Sequence, residues 1–486
     1  MYKRPSKRKK LVRLITVYAV MVIAIISITT FVILLVLGFR FNRTDGHVEQ
    51  YSLLQFNSSP SGATVILDGQ KLNSKTPCKA SVPAGTHTVT ISKSGYKNWV
   101  KTVNVNSGVV GWLNYTLLVP DTLTIEPVGY YGAVHSTFAS PDGHFILLQG
   151  SVESPSFELI NISSDKIKTT SLVIPTTLYS EAGYYNVSHS FNVYKWDKGE
   201  RYVLIKHQYG EKTEWLVLDT QNVEQTRNVS EVFSSPVDNI DFLGSGGNVF
   251  YLQSQSNIYK LELSSKAISG PLISGVKSFK LYDQSNTISY VAANETEQYV
   301  GVYRDGDEKP YILQTEPVEP QLKLNIAISH YFDNDYVAIT KGQAVNVLGG
   351  NYPDSEKDVS ISLKKIAIFN FEKEINELSF SPNGQYVIVR NADSFESYDL
   401  EYKTASKSSI IGSGPEYSMN WLDNSHLWTV RDGKLKISDF DGENLNEINA
   451  TVYGQDITLT DNGRYLYSIG KTDSGFQLQR ARLILP

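Results

Sequence analysis

One short turn, together with the strands on either side of it, recurs through most of the 486-residue chain. In its clearest copy, Phe380-Ser-Pro-Asn-Gly384-Gln-Tyr386, an apolar strand ends, turn-forming residues reverse the backbone, and an aromatic-led apolar strand returns. A tight hairpin requires this composition. Phe138-Ala-Ser-Pro-Asp-Gly143-His-Phe145 is nearly identical. Looser copies begin at Trp196, Phe242 and Leu459, and copies without the glycine begin at Tyr282, Tyr331 and Trp421.

The eight copies are spaced like the blades of a β-propeller. They lie about 46 residues apart on average, and a four-stranded blade occupies ~40–50 residues. A further apolar strand follows each copy, as in Trp215-Leu-Val-Leu-Asp219 and Ser397-Tyr-Asp-Leu-Glu401. The pattern resembles the WD40-like and TolB-type propeller repeat, which implies a β-propeller over residues 120–486. We predict eight blades, with seven as the alternative because the copies at Tyr282 and Tyr331 are degraded.

The two ends of the repeat region are expected to pair with each other. The last unit contains strands near Ile457, near Tyr465 and over Phe476–Leu485, one fewer than a blade requires. The segment Thr122–Glu126 precedes the first complete unit and can supply the missing strand. This pairing would leave no long open edge, and an exposed edge is an aggregation hazard.

A single uncharged stretch near the amino terminus is long enough to cross a membrane. It covers 26 residues from Leu14 to Phe39, and as a helix it would extend about 39 Å, whereas the hydrocarbon core of a bilayer is ~30 Å thick. Seven Lys and Arg residues precede it. The positive-inside rule therefore predicts a cytoplasmic tail at residues 1–13 and a single span at 14–39 in the cell membrane, with extracytoplasmic domains beyond it. A cleaved signal peptide is the alternative interpretation.

The rest of the chain is acidic, which argues against a nucleic-acid partner. Without the seven basic residues of the tail, 38 Lys and Arg stand against 50 Asp and Glu, a formal charge of −12. Surfaces that bind nucleic acid carry a positive excess instead. The expected partners are the membrane, through the amino-terminal helix, and an envelope protein or a glycan.

A small β domain lies between a juxtamembrane linker at residues 40–52 and the repeats. Period-two apolar residues run through residues 53–119 and predict a small antiparallel sandwich. The fold class is thus all-β apart from one transmembrane helix. Five turn landmarks occur in order in this domain: Pro60-Ser-Gly-Ala63, Asp68-Gly69, Thr76-Pro77, Pro83-Ala-Gly-Thr-His87 and Gly95-Tyr96. With these landmarks the domain resembles the PEGA domain, although Ser61 stands where that family usually has Glu. The resemblance implies a β-sandwich module of bacterial and archaeal envelope proteins.

No local motif indicates catalysis, a metal or a cofactor, and we predict none of the three. The single cysteine, Cys78, cannot form an internal disulfide or a cysteine-based zinc site. The eight histidines, at positions 47, 87, 135, 144, 189, 207, 330 and 426, lack the spacing of metal ligands. His87 is interpreted as a strand residue. A site composed of residues from several blades at the central channel stays open.

The candidate binding residues are four tyrosines, Tyr130, Tyr131, Tyr184 and Tyr185. Each pair lies in a turn-rich stretch and offers an aromatic platform for a sugar or a partner protein, with packing inside strands as the alternative. The second pair falls where successive turn copies are 58 residues apart. We expect an enlarged loop over Ser171–His189, because loops on a rigid scaffold are where binding is usually placed.

Three functions are compatible with this organisation. The leading hypothesis is a single-pass envelope protein whose propeller is a binding or scaffolding platform. The second is an extracytoplasmic propeller enzyme, a hydrolase or lyase. Charged residues from three or more blades at one mouth of the channel would favour this hypothesis. The third is a sensor that signals through the span, although only about 13 residues precede the span.

Overall fold

The computed structural model of this chain describes residues 7–36, 38–41, 46, 48–180, 187–282, 284–319, 322–352, 362–410 and 417–486. The chain divides into two compact units, Met1–Thr122 and Leu123–Pro486. Apart from one long helix and three short 3₁₀ helices, the regular structure of the described residues is β, as the sequence predicts. The 3₁₀ helices are Thr176–Leu178, Val223–Gln225 and Val229–Glu231.

The long helix α1 (Lys7–Val36) contains an apolar stretch, Leu11–Val36, that is long enough to cross a membrane. Its length and composition are those of a membrane span or a signal sequence. The apolar side chains of this stretch are exposed. The helix is displaced toward the amino terminus relative to the predicted Leu14–Phe39. Phe39 instead begins strand β1 (Phe39–Phe41), which pairs with β2 (Val48–Gln50).

The rest of the first unit is a two-sheet sandwich. Its strands are β3 (Ser52–Ser59), β4 (Thr64–Leu67), β5 (Gln70–Lys75), β6 (Cys78–Val82), β7 (Gly85–Ser92), β8 (Trp99–Val105) and β9 (Val110–Leu117). They form sheets in the order β6-β3-β9 and β5-β4-β7-β8. The sandwich was expected to be antiparallel, but β3 and β9 pair in parallel. Because β8 and β9 lie in different sheets, β9 is reached by a crossover and is free to run in the same direction as β3.

In the second unit, the described residues form eight four-stranded antiparallel sheets. Strand β10 (Thr124–Tyr131) opens the unit. Sheet 1 contains β11 (Ser136–Ala139), β12 (Phe145–Gln149), β13 (Ser156–Asn161) and β14 (Lys168–Val173). Sheet 2 contains β15 (His189–Trp196), β16 (Tyr202–Tyr209), β17 (Lys212–Asp219) and β18 (Arg227–Asn228). Sheet 3 contains β19 (Asn239–Phe242), β20 (Val249–Ser254), β21 (Asn257–Glu262) and β22 (Ala267–Ile268).

Three further sheets follow the same order of four consecutive strands. Sheet 4 contains β23 (Val276–Tyr282), β24 (Thr287–Ala293), β25 (Glu297–Arg304) and β26 (Tyr311–Pro317). Sheet 5 contains β27 (Leu324–Tyr331), β28 (Asn334–Lys341), β29 (Ala344–Gly350) and β30 (Lys364–Asn370). Sheet 6 contains β31 (Glu377–Phe380), β32 (Tyr386–Arg390), β33 (Ser394–Asp399) and β34 (Thr404–Ser409).

The last two sheets complete the series. Sheet 7 contains β35 (Tyr417–Trp421), β36 (His426–Arg431), β37 (Lys434–Asp439) and β38 (Asn446–Ala450). Sheet 8 contains β39 (Thr458–Leu459), β40 (Tyr465–Thr472) and β41 (Gly475–Arg482), and its fourth strand is β10. The antiparallel register of β10 and β41 extends from Thr124 opposite Arg482 to Tyr131 opposite Phe476. The predicted pairing of the two ends is therefore confirmed.

From sheet 1 to sheet 7, each sheet packs against the next through a buried apolar layer. Sheets 1 and 2 share Phe157, Phe191 and Trp196, and corresponding clusters join the sheets in sequence from sheet 2 to sheet 7. Sheets 7 and 8 are linked by hydrogen bonds, including one of 2.8 Å from Thr451 Oγ1 to the carbonyl oxygen of Ile469. Another cluster joins sheet 8 to sheet 1. The sheets thus follow one another around a closed ring, which is the propeller arrangement.

The recurring turn glycine is needed for two reasons. Gly143 and Gly384 have φ angles of +71° and +81°, a region that residues with a Cβ rarely adopt. A Cβ on Gly143 would also lie 2.5 Å from the carbonyl oxygen of Leu459 in sheet 8, the neighbouring sheet. The turn therefore closes its own hairpin and packs against the preceding sheet.

Candidate functional site

The turns between the first and second strands of the sheets lie at one end of the ring, called here the turn face. One of them, between β27 and β28, holds Phe332 at a φ of +50°. The Phe332 side chain is also 71% exposed. A bulky residue in this conformation costs about 1–2 kcal/mol, and an exposed ring regains little of it by burial. Folding alone does not account for a phenylalanine at this position.

The ring of Phe332 rests on an anchored neighbour, Tyr331. The two ring centroids are 4.5 Å apart in an edge-on contact. The Tyr331 hydroxyl donates a 2.8 Å hydrogen bond to Glu401 Oε2 of sheet 6, and Gln385 Nε2 donates to the same oxygen at 3.2 Å. Burial, followed by the bond to Glu401, raises the pKa of Tyr331. Tyr331 is thus a neutral, fixed support for the exposed ring.

Neighbouring turns are tied to the turn that carries Phe332. The backbone N–H of His330 donates a 3.1 Å hydrogen bond to the Tyr282 hydroxyl of sheet 4. Gln284 Nε2 donates a 2.6 Å bond to the carbonyl oxygen of Pro382 in sheet 6. We call Tyr282, Tyr331 and Phe332 the aromatic patch. Three consecutive sheets hold this patch in position, which favours binding without large rearrangement.

A second group on the turn face links sheets 1 and 2. Glu200 Oε2 lies 2.6 Å from His144 Nδ1, and the backbone N–H of Asp142 donates a 2.7 Å bond to Glu200 Oε1. The hydrogen bond to Glu200 raises the pKa of His144, and Asp461 of sheet 8 and Asp142 add to this shift. Ligand atoms of Asp142, His144 and Glu200 lie within 4.8 Å of one another. Imidazole and carboxylate groups suit a divalent transition metal, although here both oxygens of Glu200 already bond the turn of sheet 1.

The opposite end of the ring carries the connections between sheets and is called here the connection face. At this end a linear hydrogen-bonded chain enters sheet 2. His189 Nδ1 lies 2.9 Å from His207 Nε2, and His207 Nδ1 lies 2.8 Å from Glu214 Oε1. His207 is fully buried and Glu214 is 3% exposed, whereas His189 is half-buried. We call these three residues the histidine relay.

Glu214 is held ionised by the groups around it. Burial alone would raise its pKa, but hydrogen bonds from His207, Ser180 and Asn228 outweigh burial and lower the pKa to about 2. Ser180 contributes its backbone N–H at 2.8 Å and its hydroxyl at 2.7 Å, and Asn228 Nδ2 donates at 2.7 Å. A carboxylate with this many donors is fixed in both charge and position.

The first strand of each sheet supplies little unpaired charge. Among the described residues of these strands, the carboxylates are Asp241 and Glu377. Asp241 pairs with Lys195 at 2.7 Å, and Glu377 Oε2 accepts a 2.6 Å hydrogen bond from Arg390 Nε. A composite catalytic centre made from these strands would have to use paired carboxylates.

Of the four predicted tyrosines, the structure describes Tyr130 and Tyr131. Tyr130 and Tyr131 lie inside strand β10 and not in a turn, because the closing strand extends beyond the predicted Thr122–Glu126. Tyr130 is 70% exposed. Tyr131 packs on the core between sheets 8 and 1, and burial raises its pKa to about 12. Tyr184 and Tyr185 lie outside the described residues.

The loop predicted over Ser171–His189 is shorter than expected. Strand β14 continues to Val173 and β15 begins at His189, so the connection occupies residues 174–188. Sequence reasoning missed the histidine relay at its end because spacing along the chain does not show strand pairing. Counting outward from the turn near Gly199 would have placed His189 and His207 close together across the hairpin.

His87 and Cys78, two further residues considered from the sequence, lie in strands of the first unit. His87 lies in β7 with Nδ1 at 2.7 Å from Asp68 Oδ2 and Nε2 at 2.9 Å from the carbonyl oxygen of Pro83. Cys78 begins β6 and is half-buried, and burial raises the pKa of its thiol. The structure therefore agrees with the interpretation of His87 as a strand residue.

The first unit contains a domain of a known family. Residues 51–119 match the PEGA domain. The two-sheet sandwich of β3–β9 is thus the PEGA module, which the resemblance of the turn landmarks predicted. No curated protein sequence matches the chain.

Solved β-propellers resemble the chain in structure at low identity. Hsv2p of Kluyveromyces lactis is 9% identical with a TM-score of 0.41, covering 73% of this chain and 100% of that one. Oligogalacturonate lyase of Vibrio parahaemolyticus is 10% identical with a TM-score of 0.37, covering 74% and 97%. AztD of Citrobacter koseri is 11% identical with a TM-score of 0.39, covering 80% and 94%. At such identities the likeness concerns the fold alone.

Proposed function

We propose that this protein is a binding or scaffolding protein of the cell envelope, anchored in the cell membrane by α1. In this proposal the PEGA domain and the propeller lie outside the cytoplasm, and the propeller is the platform for a protein or glycan partner. The observation that carries the proposal is Phe332, an exposed aromatic residue held in a conformation that disfavours it.

An aromatic residue in this setting is suited to be a binding anchor. Phe332 has few rotatable bonds and lies on a rigid hairpin, so ordering it on binding costs little conformational entropy. Carboxylates border it, because the exposed Asp333 follows in the same turn and the half-buried Glu401 holds Tyr331. An apolar group flanked by donor or cationic groups would complement this surface.

Substitution of Phe332 by glycine is expected to weaken partner binding without weakening the fold. Glycine adopts a φ of +50° freely, so the Phe332→Gly variant should be as stable as the wild-type protein or more stable. Loss of an aromatic anchor typically costs 2 kcal/mol or more, about a 30-fold loss of affinity. The measurement is recovery of crosslinked envelope proteins and glycans by the full-length protein from intact cells.

Tyr453→Ala is the matched control, because Tyr453 is an exposed aromatic residue that follows the last strand of sheet 7. It should leave recovery unchanged. Equal recovery by the wild-type protein and Phe332→Gly would rule out the aromatic patch as the platform, and recovery of nothing above background would contradict the binding function itself.

The proposed orientation has its own test. Seven Lys and Arg residues precede the apolar stretch of α1, so we expect protease added to intact cells to digest the PEGA domain and the propeller while a tag on the amino terminus survives. The measurement is immunoblotting with amino- and carboxyl-terminal tags, with a cytoplasmic protein as the control for intact membranes. Protection of the carboxyl-terminal tag until lysis would reverse the orientation.

The alternative function is an extracytoplasmic propeller hydrolase or lyase with a composite site at the central channel. One observation favours it: sheets 8, 1 and 2 bring Asp461, His144 and Glu200 into electrostatic contact on the turn face. Against it stand the paired carboxylates Asp241 and Glu377 of the first strands. The binding function is therefore the better supported of the two.

A further inference from the structure

The histidine relay has a defined arrangement of protons. Glu214 is ionised and accepts, so the proton between it and His207 lies on His207 Nδ1. A neutral His207 then has a lone pair on Nε2, which accepts the Nδ1–H of His189. A neutral His189 consequently carries its lone pair on Nε2, at the half-buried end of the relay. The described residues form no hydrogen bond to that atom.

The stability of sheet 2 does not explain why the relay contains two histidines. Glu214 already accepts hydrogen bonds from Ser180 and Asn228, which tie the connection and the outer strand to the sheet. Burying a charged carboxylate in the interior of sheet 2 is unfavourable compared with an apolar core. His189 adds no bond to Glu214. What the two histidines add is a fixed lone pair at the connection face.

The surroundings of the relay keep both rings oriented. The ring planes of His189 and His207 are parallel to within 3°, and the ring centroids are 5.2 Å apart. The ring of Tyr179 meets both histidines edge-on at 6.1 and 5.1 Å, and Phe191 stacks on His207 at 4.3 Å. Burial raises the pKa of Tyr179, so its hydroxyl is neutral beside the relay. Glu214 is therefore the charged group in direct contact with the histidine pair among the described residues.

We propose that His189 is a general base that acts on an O–H group at the connection face, with His207 and Glu214 as positioning residues. A base oriented by a second group, which is oriented in turn by a carboxylate, is the arrangement of catalytic triads. This activity goes beyond the proposed binding function and does not depend on it. Failure of either leaves the other standing.

The substrate class follows from what the site contains and lacks. Glycoside hydrolysis uses two carboxyl groups across the bond, and here the relay has one carboxylate, buried. Phosphoryl transfer needs cationic groups or metal at the phosphate, and the relay contains none. A carboxylic ester needs activation of water, which an imidazole provides. The geometry points to a neutral ester.

The step conserves atoms and charge. As the water oxygen bonds to the acyl carbon, its proton moves to His189 Nε2, and the positive charge on the histidine pair is balanced by Glu214. The bond from the acyl carbon to the alcohol oxygen then breaks. His189 returns the proton to the departing oxygen, which leaves one acid and one alcohol.

The test uses the full-length protein in detergent micelles with p-nitrophenyl acetate as the probe, followed over pH 5 to 9. His189→Gln is expected to lower the protein-dependent rate at least about tenfold. Glu214→Gln keeps His189 but removes the counter-charge, so the rate should fall and the midpoint of the pH–rate profile should move toward acid. His135→Gln is the matched control, since His135 is an exposed histidine of the same face, and it should leave the rate unchanged.

A second measurement avoids substitutions that could unfold sheet 2. In the wild-type protein at pH 7, diethyl pyrocarbonate should acylate His189 faster than His135, as read by mass spectrometry of peptides. Slower acylation of His189 than of His135, or an unchanged rate in His189→Gln, would overturn the proposal. An unchanged pH–rate profile in folded Glu214→Gln would overturn the role of the relay.

Discussion

Replacement of Gly384 by alanine is expected to lower the free energy of unfolding by about 2–5 kcal/mol. The backbone of Gly384 has a φ of +81°, which strains a residue with a Cβ. The new methyl group would also lie 2.3 Å from Ser329 Oγ and 2.7 Å from the carbonyl oxygen of His330, both in sheet 5. Ser329 would have to move, with loss of its 2.8 Å hydrogen bond to the carbonyl oxygen of Gly384. Urea denaturation of the full-length protein in detergent measures the change.

Gly210→Ala separates backbone strain from packing. Gly210 has a φ of +58°, and no heavy atom lies within 4 Å of a Cβ built on it. Its substitution should cost only the strain, about 1 kcal/mol. Equal destabilisation by the two substitutions would show that the turn glycine is not required by contact with the preceding sheet. The physical interpretation of the repeated turn would then be wrong.

Most of the fold could be predicted because its signals are local. Each hairpin is encoded within about fifteen residues by alternating apolar positions and turn-forming residues. The degraded copies also form hairpins, since Asn286 and Phe332 adopt the positive φ that glycine adopts elsewhere. The end of α1 was misplaced by three residues, because hydropathy does not show that Phe39 joins a strand.

The candidate sites could not be predicted in the same way. The histidine relay joins residues from three strands, and Ser180 of a connection bonds its carboxylate, so only strand register brings them together. Phe332 carried a signal that was available in the sequence, a turn copy with a phenylalanine where glycine or asparagine is expected. The sequence pattern predicts a turn at Tyr131, whereas the length of β10 places this residue against the core.

Asp219 and Asp399 occupy equivalent positions at the ends of the third strands of sheets 2 and 6, but their environments differ. Oδ1 of each accepts backbone N–H groups of the following turn. Burial would raise the pKa of Asp219, but the bonds from Arg201, at 3.0 and 2.7 Å, hold that pKa below its ordinary value. Gln385 takes the place of Arg201 in sheet 6, and burial raises the pKa of Asp399 to about 6.

The raised pKa predicts a pH-dependent loss of stability. A carboxyl group with a pKa near 3.8 when unfolded and about 6 when folded favours folding below pH 4, and this contribution is lost as the pH rises through 6. The change amounts to roughly 3 kcal/mol. Asp399→Asn keeps an acceptor for the turn without an ionisable group. This variant should lack the dependence and be more stable than the wild-type protein at pH 7.

Gln385→Arg is expected to reverse the sign of the effect at Asp399. A guanidinium beside the carboxylate would reproduce the sheet 2 pair, lower the pKa of Asp399 and make its ionised form stabilising above pH 4. Thermal unfolding of the wild-type protein, Asp399→Asn and Gln385→Arg from pH 4 to 7 measures the slopes. Arg201→Gln is the matched control, because it gives Asp219 the surroundings of Asp399 and should steepen the loss of stability with rising pH. Identical slopes in all four proteins would show that Asp399 is ionised at its ordinary pKa despite its burial.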